Sequence, residues 1–385
     1  MNKTVFPTQR LSSEKLAALL QNRDVSELSF PELVRLYREE PGLADFRPDG
    51  DYQIDPRNGE RILFNAARAR RPHDNRPAAE KPVASPERPC VVCQGRTTGI
   101  IDVVALSEGV TFINKNLYPL LFPVAECLPG QVQGLHLLQW TSSLHDRDWH
   151  NLPLGDCVVV LERLAALEEL LRTSGAEEFP LEAANPTGER AFVSIIKNYG
   201  HLVGGSLAHG HQQIALSNII PRRFLDNWRF EQEHGETFAA YMLRRNPPEL
   251  LVRDYGPAVL LVSYFMRRPY NMLLILKDVE RRYLHELSAV EIEAVAAGWR
   301  DAIRAIRDIM PRIGRETAYN VVTHNGPGAG LYFEFLPYTQ EIGGYEQLGL
   351  FICQERPENV AAQLRETLNA DRAAGLSRED YEHAT

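Results

Sequence analysis

Apolar residues along this chain follow two spacings, one of three or four residues and one of two, and the order of the two is repeated in the second half. Near the start, LSSEKLAALLQ and SFPELVRLYREE, within residues 11–40, carry the first spacing and predict two short helices. Serines precede the first, Ser29 caps the second, and Pro31 falls in the second's first turn, where its missing N–H costs nothing. PGLADFRPDGDYQIDPRNGE then reads as a turn-rich connector and RILFNA as a short strand. The stretch ARARRPHDNRPAAEKPVASPERP is too rich in proline and charge to build a core of its own.

From Cys90 the pattern shifts to strands: TGIIDVVAL, GVTFIN and GLHLLQW. A long helix, DCVVVLERLAALEELLRTSG, follows and is expected to stop at Gly175. AFVSIIKNYG and AHGHQQIALSNII are strands on either side of a glycine turn. The second half repeats this order. AVLLVSYFM and NMLLILK are strands, SAVEIEAVAAGWRDAIRAIRDIM is a helix, and TAYNVVTHNGPGAGLYFEFLP is again strand, glycine turn, strand. Two similar α+β units in tandem are expected, with His209, His211 and Gln213 of the first facing Tyr332, Glu334 and Leu336 of the second as rough counterparts.

Composition narrows the class. A chain of 385 residues, 44% hydrophobic and 24% charged, is long enough for two or three soluble domains. No apolar run approaches the roughly 20 residues that span a bilayer, and the first residues lack a signal-peptide core, so no membrane is expected and a cytoplasmic location is. A net charge of −9 argues against a nucleic-acid duplex as partner but leaves room for a phosphorylated small molecule. The five cysteines (Cys90, Cys93, Cys127, Cys157, Cys353) do not read as a disulfide framework; only Cys90 and Cys93 are close in sequence.

Chemistry concentrates in GGSLAHGHQQIAL, Gly204 to Leu216. In a strand His209, His211 and Gln213 point the same way. The Gly204-Gly205-Ser206 turn upstream can bring backbone N–H groups and a hydroxyl up to an anionic oxygen. A neutral imidazole beside such a cradle can attack phosphorus, and the phosphoramidate it forms passes its group on. The plainer reading is a polar face of an exposed strand. Separately, Cys90 and Cys93 in C-x-x-C supply half of a tetrahedral zinc site, or a redox pair, or ordinary buried residues.

The H-x-H-x-Q row after a glycine-serine turn resembles the histidine-triad superfamily, in its transferase branch of galactose-1-phosphate uridylyltransferases. NYGHLVGGSLAHGHQQ matches that family's active-site segment at Asn198, Gly200, Gly204, Ser206, His209, His211 and Gln213. DPRNGERILFNAARARRP resembles its N-terminal motif, with Arg68 as the phosphate-contacting arginine. NLYP resembles its nucleoside segment at Asn116, and GGYEQLGLFICQERPENVAAQLR its C-terminal segment at Glu346. The resemblance implies an α+β fold of two histidine-triad-like units, mainly antiparallel sheets with packed helices. A helical extension (1–48), a first unit with active and zinc sites (49–228), a degenerate second unit (229–370) and a polar tail (371–385) would divide the chain.

It further implies a nucleotidylyltransferase that moves a nucleoside monophosphate between a nucleotide sugar and a sugar 1-phosphate through a covalent nucleotidyl-histidine. His211 would be the nucleophile, and Gln213 and Ser206 would hold the transferring phosphate. Arg68, Asn116, Asn198, Gly204, Gly205 and Glu346 would bind substrate. One structural zinc would sit on Cys90, Cys93, His145 and His209, with His136 and His150 competing for the third place. A homodimer active in carbohydrate metabolism is implied. The alternative within the superfamily is a phosphorylase of ADP-sugars or dinucleoside polyphosphates, using inorganic phosphate. The chain departs from the pattern at Leu117, where an acidic residue is expected, and at Ile352, where a glutamine is, so base and sugar stay open. His324 and Glu334 are the sole remnants of a second metal site that some relatives carry, and no second metal is expected.

Overall fold

The computed structural model describes residues 24–48, 50–56, 58, 60–65, 90, 92–95, 97–124, 131–179, 185–189 and 192–382. The helix expected within residues 11–21, the loop from 66 to 89 and Arg68 lie outside them. Apart from a small hairpin, β1 (Tyr52–Ile54) with β2 (Arg61–Leu63), the described strands join one sheet of ten. The first half supplies β3 (Ile100–Ala105), β4 (Val110–Lys115), β5 (Gly134–Trp140), β6 (Phe192–Tyr199) and β7 (His211–Ser217). The second supplies β8 (Leu251–Asp254), β9 (Ala258–Leu261), β10 (Met272–Leu276), β11 (Tyr319–His324) and β12 (Tyr332–Pro337).

The sheet order is β3-β4-β5-β7-β6-β11-β12-β10-β9-β8. Read from its own outer edge, each half has its strands in the order first, second, third, fifth, fourth. Every neighbouring pair is antiparallel, and the halves join through β6 and β11, where Tyr199 lies opposite Tyr319 and the two rings stack. In each half a long helix follows the third strand: α2 (Leu154–Glu178) and α5 (Ala289–Arg312). The chain is therefore α+β, a tandem pair of like-ordered antiparallel units with packed helices.

Period-2 alternation sets which face these helices cover. Ile214 and Leu216 of β7, Val193 and Ile195 of β6, and Phe333 and Phe335 of β12 enter one core with α2, α5 and α1 (Phe30–Arg38). Trp149, just before α2, meets Trp299 of α5 at 4.8 Å, and Trp299 stands edge-on to Phe333 and Phe335. A capping box starts α5: Ser288 Oγ accepts from the Glu291 N–H while Glu291 Oε2 accepts from the Ser288 N–H. The expected stop of α2 at Gly175 is wrong, since the helix runs to Glu178. A Cβ at Gly175 would lie 2.6 Å from a Leu216 methyl carbon, so this glycine lets helix and sheet approach closely.

Other expectations shift as well. The connector contains a 3-10 turn (Pro41–Phe46) and β1, and β7 starts only at His211, leaving His209 before the strand. Helices α3 (Arg222–His234), α4 (Phe238–Arg245), α6 (Gly344–Gln347) and α7 (Pro357–Glu382) were not legible, nor was β8. Backbone register also moves the counterparts of the two halves by two residues. Gln213 lies between Leu138 of β5 and Ile196 of β6, while Glu334 lies between Leu273 of β10 and Val322 of β11. His211 and Tyr332 are each the first residue of their strand, so His211 corresponds to Tyr332 and Gln213 to Glu334. A slip of two keeps every side chain on its face, so alternation alone could not detect it.

Candidate functional site

On β7 the core-facing Gln212 is tied down from behind. Its Oε1 accepts from Thr141 Oγ1 at 3.0 Å and Trp149 Nε1 at 3.2 Å. His211 and Gln213 project from the opposite face. The His211 ring is buried against Trp140, with ring centroids 4.9 Å apart, and its Nδ1 lies 2.8 Å from the His209 carbonyl oxygen. A carbonyl only accepts, so Nδ1 carries the proton and the lone pair is on Nε2. Burial pushes the imidazole pKa down to about 4, with Lys197 acting in the same direction, so the ring is neutral near pH 7.

Below the strand lies a buried ion pair. Lys197 Nζ is 2.9 Å from Asp148 Oδ2 and donates to the His211 main-chain oxygen at 3.3 Å. Asp148 fits there because residue 210 is glycine; a Cβ at Gly210 would stand 2.5 Å from the carboxyl carbon. Lys197→Met should cost about 3–5 kcal/mol, because it strands a buried carboxylate. Lys197→Met with Asp148→Leu should recover most of that loss in denaturant melts. Equal losses in the single and double variants would show that the pair is not the cause.

Gln213 has a partner that sequence reasoning assigned elsewhere. His136 Nδ1 accepts from the Leu120 N–H at 2.8 Å, which leaves its Nε2 to donate to Gln213 Oε1 at 3.1 Å. The Gln213 carbonyl is thereby engaged, and its NH₂ group is the end left to meet a ligand. Asn116 packs its amide 3.3–3.4 Å from the His136 ring nitrogens, and its Oδ1 accepts from the Tyr118 N–H. Asn116, His136 and Gln213 thus form one wall. The signal for His136 was its place on GLHLLQW, the strand beside H-x-H-x-Q.

Asn198 lies on the same face, two residues beyond Ile196, and its Oδ1 accepts from Asn320 Nδ2 at 2.6 Å across the joint of the halves. Asn320 also donates to the Val203 carbonyl. The loop then turns through Gly204, at φ 84°, and the Gly205 N–H donates to the Gly200 carbonyl at 2.9 Å. Half-buried Ser206 follows. Glu346 is not brought to this group. Half-buried on α6, it accepts from the Gly343 and Ile352 N–H groups of its own segment.

Cys90, Cys93, His145 and His209 do converge, each offering one ligand atom, with all four atoms within 4.8 Å of one another. The Sγ to Nδ1 separations are 3.7 Å (Cys90–His209), 3.5 Å (Cys93–His145) and 3.7 Å (Cys93–His209). A tetrahedral zinc with ordinary bond lengths requires about 3.6 Å, so the four fit the ion. His209 Nε2 lies 2.8 Å from the Ser142 carbonyl, which turns Nδ1 toward the cluster. Burial would raise the Cys90 thiol pKa, but hydrogen bonds from His145 and His209 outweigh it and bring it down to about 5. Burial and the Cys90 charge push Cys93 up to about 12. The competitors lie elsewhere: His136 serves Gln213, and the buried His150 Nδ1 has no hydrogen-bond partner among the described residues and is not part of the cluster.

No family model matches the chain. An ADP-glucose phosphorylase of Arabidopsis thaliana is 19% identical over 341 residues, covering 81% of this chain and 91% of that protein. Among solved structures, a uridylyltransferase superposes with a TM-score of 0.63 at 22% identity, over 83% of this chain and 99% of its own. The structure of an Arabidopsis thaliana ADP-glucose phosphorylase with bound ADP-glucose superposes with a TM-score of 0.58 at 18% identity, over 82% and 98%. The fold is the one these proteins share.

Proposed function

We propose that the chain is a nucleotidyltransferase working through a covalent histidine intermediate, with a nucleotide sugar as donor and a sugar 1-phosphate as acceptor. The observation that carries this reading is the His211 ring, neutral and pinned through Nδ1 with the Nε2 lone pair left to react. Nε2 attacks the α-phosphorus; the P–N bond forms as the P–O bond to the sugar 1-phosphate breaks, and that group leaves with the electron pair. In the second step a phosphate oxygen of the acceptor attacks the same phosphorus, and Nε2 departs with the P–N electrons.

Gln213 directs its NH₂ at a phosphoryl oxygen, and Ser206, which follows the Gly204–Gly205 turn, supports the developing charge, the Gly204 and Gly205 N–H groups being spent on the His201 and Gly200 carbonyls. An amide cannot shuttle a proton, which suits an intermediate handed to a phosphate rather than to water. Asn116 and Asn198 line the donor's place, and the motif resemblance assigns Arg68 to the phosphates. Cys90, Cys93, His145 and His209 would hold a zinc ion with every position filled by protein, a structural ion that fixes the segment leading into β7. The likeness to ADP-glucose phosphorylase supports a second reading on the same intermediate, with inorganic phosphate as acceptor.

Two chains are proposed to associate. The segment that carries Glu346 exposes Tyr345, Leu348, Leu350 and Ile352 together, an apolar run that a partner copy would cover. Among the described residues no helix is long and apolar enough to cross a membrane. A cytoplasmic enzyme without a nucleic-acid partner is proposed. The test is incubation with nucleotide sugars labelled in the nucleotide, then a chase with sugar 1-phosphates or with phosphate. We expect label on the protein and its release by one acceptor class. Absence of label with every donor would reject the reading.

A further inference from the structure

The second half of the sheet holds a cavity of ≈ 190 Å³ at the place equivalent to the His211 site. Register assigns the equivalences. With Gln213 matched to Glu334 and Leu138 to Leu273, the position of His136 is taken by Asn271 and that of Asn116 by Ser263. All of Ser263, Asn271, Tyr332 and Glu334 line the cavity. The wall built by Asn116, His136 and Gln213 in one unit is therefore repeated in the other with different side chains. Where the first unit has the His211 imidazole, this one has the Tyr332 phenol, whose pKa burial raises well above the usual range. A phenol held protonated in this way is not a nucleophile near pH 7.

We propose that this cavity binds a single nucleotide that does not react. Three observations define the chemistry. First, Arg223 and Arg267 both face the cavity. Asp226 is shared among Arg222, Arg223 and Arg229, and Glu334 is held by His324 at 2.9 Å, so among the described residues Arg267 has no carboxylate within ion-pair distance. Burial and the nearby Arg223 lower the Arg267 pKa, and the Glu334 and Asp226 carboxylates, which also line the space, offset part of the repulsion between the two cations. An anion relieves that repulsion.

Second, Asn271 is 8% exposed and its side chain has no hydrogen-bond partner among the described residues, with Oδ1 sealed from solvent. A buried amide left unpaired is costly, and a ligand that both donates and accepts would satisfy it. Third, Phe230, Phe265 and Tyr332 present ring surface to the same space. A phosphate alone would meet the arginines but leave the rings and the amide unused; a base with its phosphate uses all three.

A metal ion suits the place poorly. His324 and Glu334 are spent on each other, two guanidinium groups face the space, and the described residues form no cluster of three metal donors here. Choosing a nucleotide over another aromatic phosphate rests on the nucleotide reading of the first unit; the anionic, aromatic character of the site does not.

The test is equilibrium dialysis of the full chain with labelled AMP and UMP, with unlabelled inorganic phosphate as competitor, on wild type, Arg267→Ala and Asn271→Leu. Wild type is expected to hold one more nucleotide per chain than either variant, the lost class being at least tenfold weaker. Arg267 lies at the exposed rim, so its variant should keep the wild-type melting temperature even if Asn271→Leu does not fold. Equal counts in wild type and Arg267→Ala would overturn the proposal, as would inorganic phosphate displacing the label as well as unlabelled nucleotide does. Covalent labelling at His211, measured in the same variants, reports on the first site alone. Its failure would reject the transferase reading while the difference in nucleotide count still stood.

Discussion

Replacing His211 with alanine is expected to lower turnover more than about a thousandfold and to abolish covalent labelling, because the group that forms the P–N bond is gone. The fold should survive. Lys197 reaches the main-chain oxygen of residue 211, not the ring, and the strand keeps its pairing with β5 and β6. The stability loss should stay within about 3 kcal/mol, the range of ordinary truncations. With the wild-type protein, initial rates at varied donor and acceptor should give parallel lines in double-reciprocal form, the pattern of a two-step covalent route. An acid-labile adduct should form with donor alone. Intersecting lines, with no such adduct, would replace the covalent route with direct transfer in a ternary complex.

What made His211 legible is a local pattern. H-x-H-x-Q and the glycines before it lie within ten residues, and strand alternation alone places His211 and Gln213 on one face. Both long helices and most strands were legible for the same reason, since each has its own apolar period. The joint between the units was not, because pairing β6 with β11 brings together residues about 120 apart and no local spacing encodes it. Nor was His136, whose role depends on which strand lies beside β7. Lys197 and Asp148 could not be paired from sequence either; a lysine on a strand reads as solvated until the fold buries it. Short α4 escaped notice because eight residues hold barely two turns, although Thr237 caps it by accepting from the Ala240 N–H. Glu346 shows the converse limit. A motif placed it at the substrate, and within one chain its carboxylate accepts from N–H groups of its own segment.

Cys90→Ser is expected to lower stability by about 5 kcal/mol and the melting temperature by about 10 °C. The four residues that would hold zinc come from three separated segments: the Cys90–Cys93 turn, the stretch before α2 that holds His145, and the residues leading into β7 that hold His209. One ion would thus close loops of more than 100 residues between Cys90 and His209. The effect should fall below the about 10–16 kcal/mol apparent for peptides that fold only with metal, since this chain has a large core of its own. Without a cation two sulfurs share one space, and Cys93 already resists ionisation because burial and then the nearby Cys90 oppose it. Zinc removes that conflict by binding both as thiolates. Activity should fall with the metal, because the His209 carbonyl sets the His211 tautomer and the same residue's ring would be a ligand. Protein expressed with zinc and purified without chelators should contain about one ion per chain by elemental analysis, and chelation should reproduce the Cys90→Ser melting temperature. Metal-free protein that melts as high as metal-supplemented protein, with Cys90→Ser unchanged from wild type, would reduce the cluster to ordinary packing and leave the Trp140 contacts to hold His209 in place.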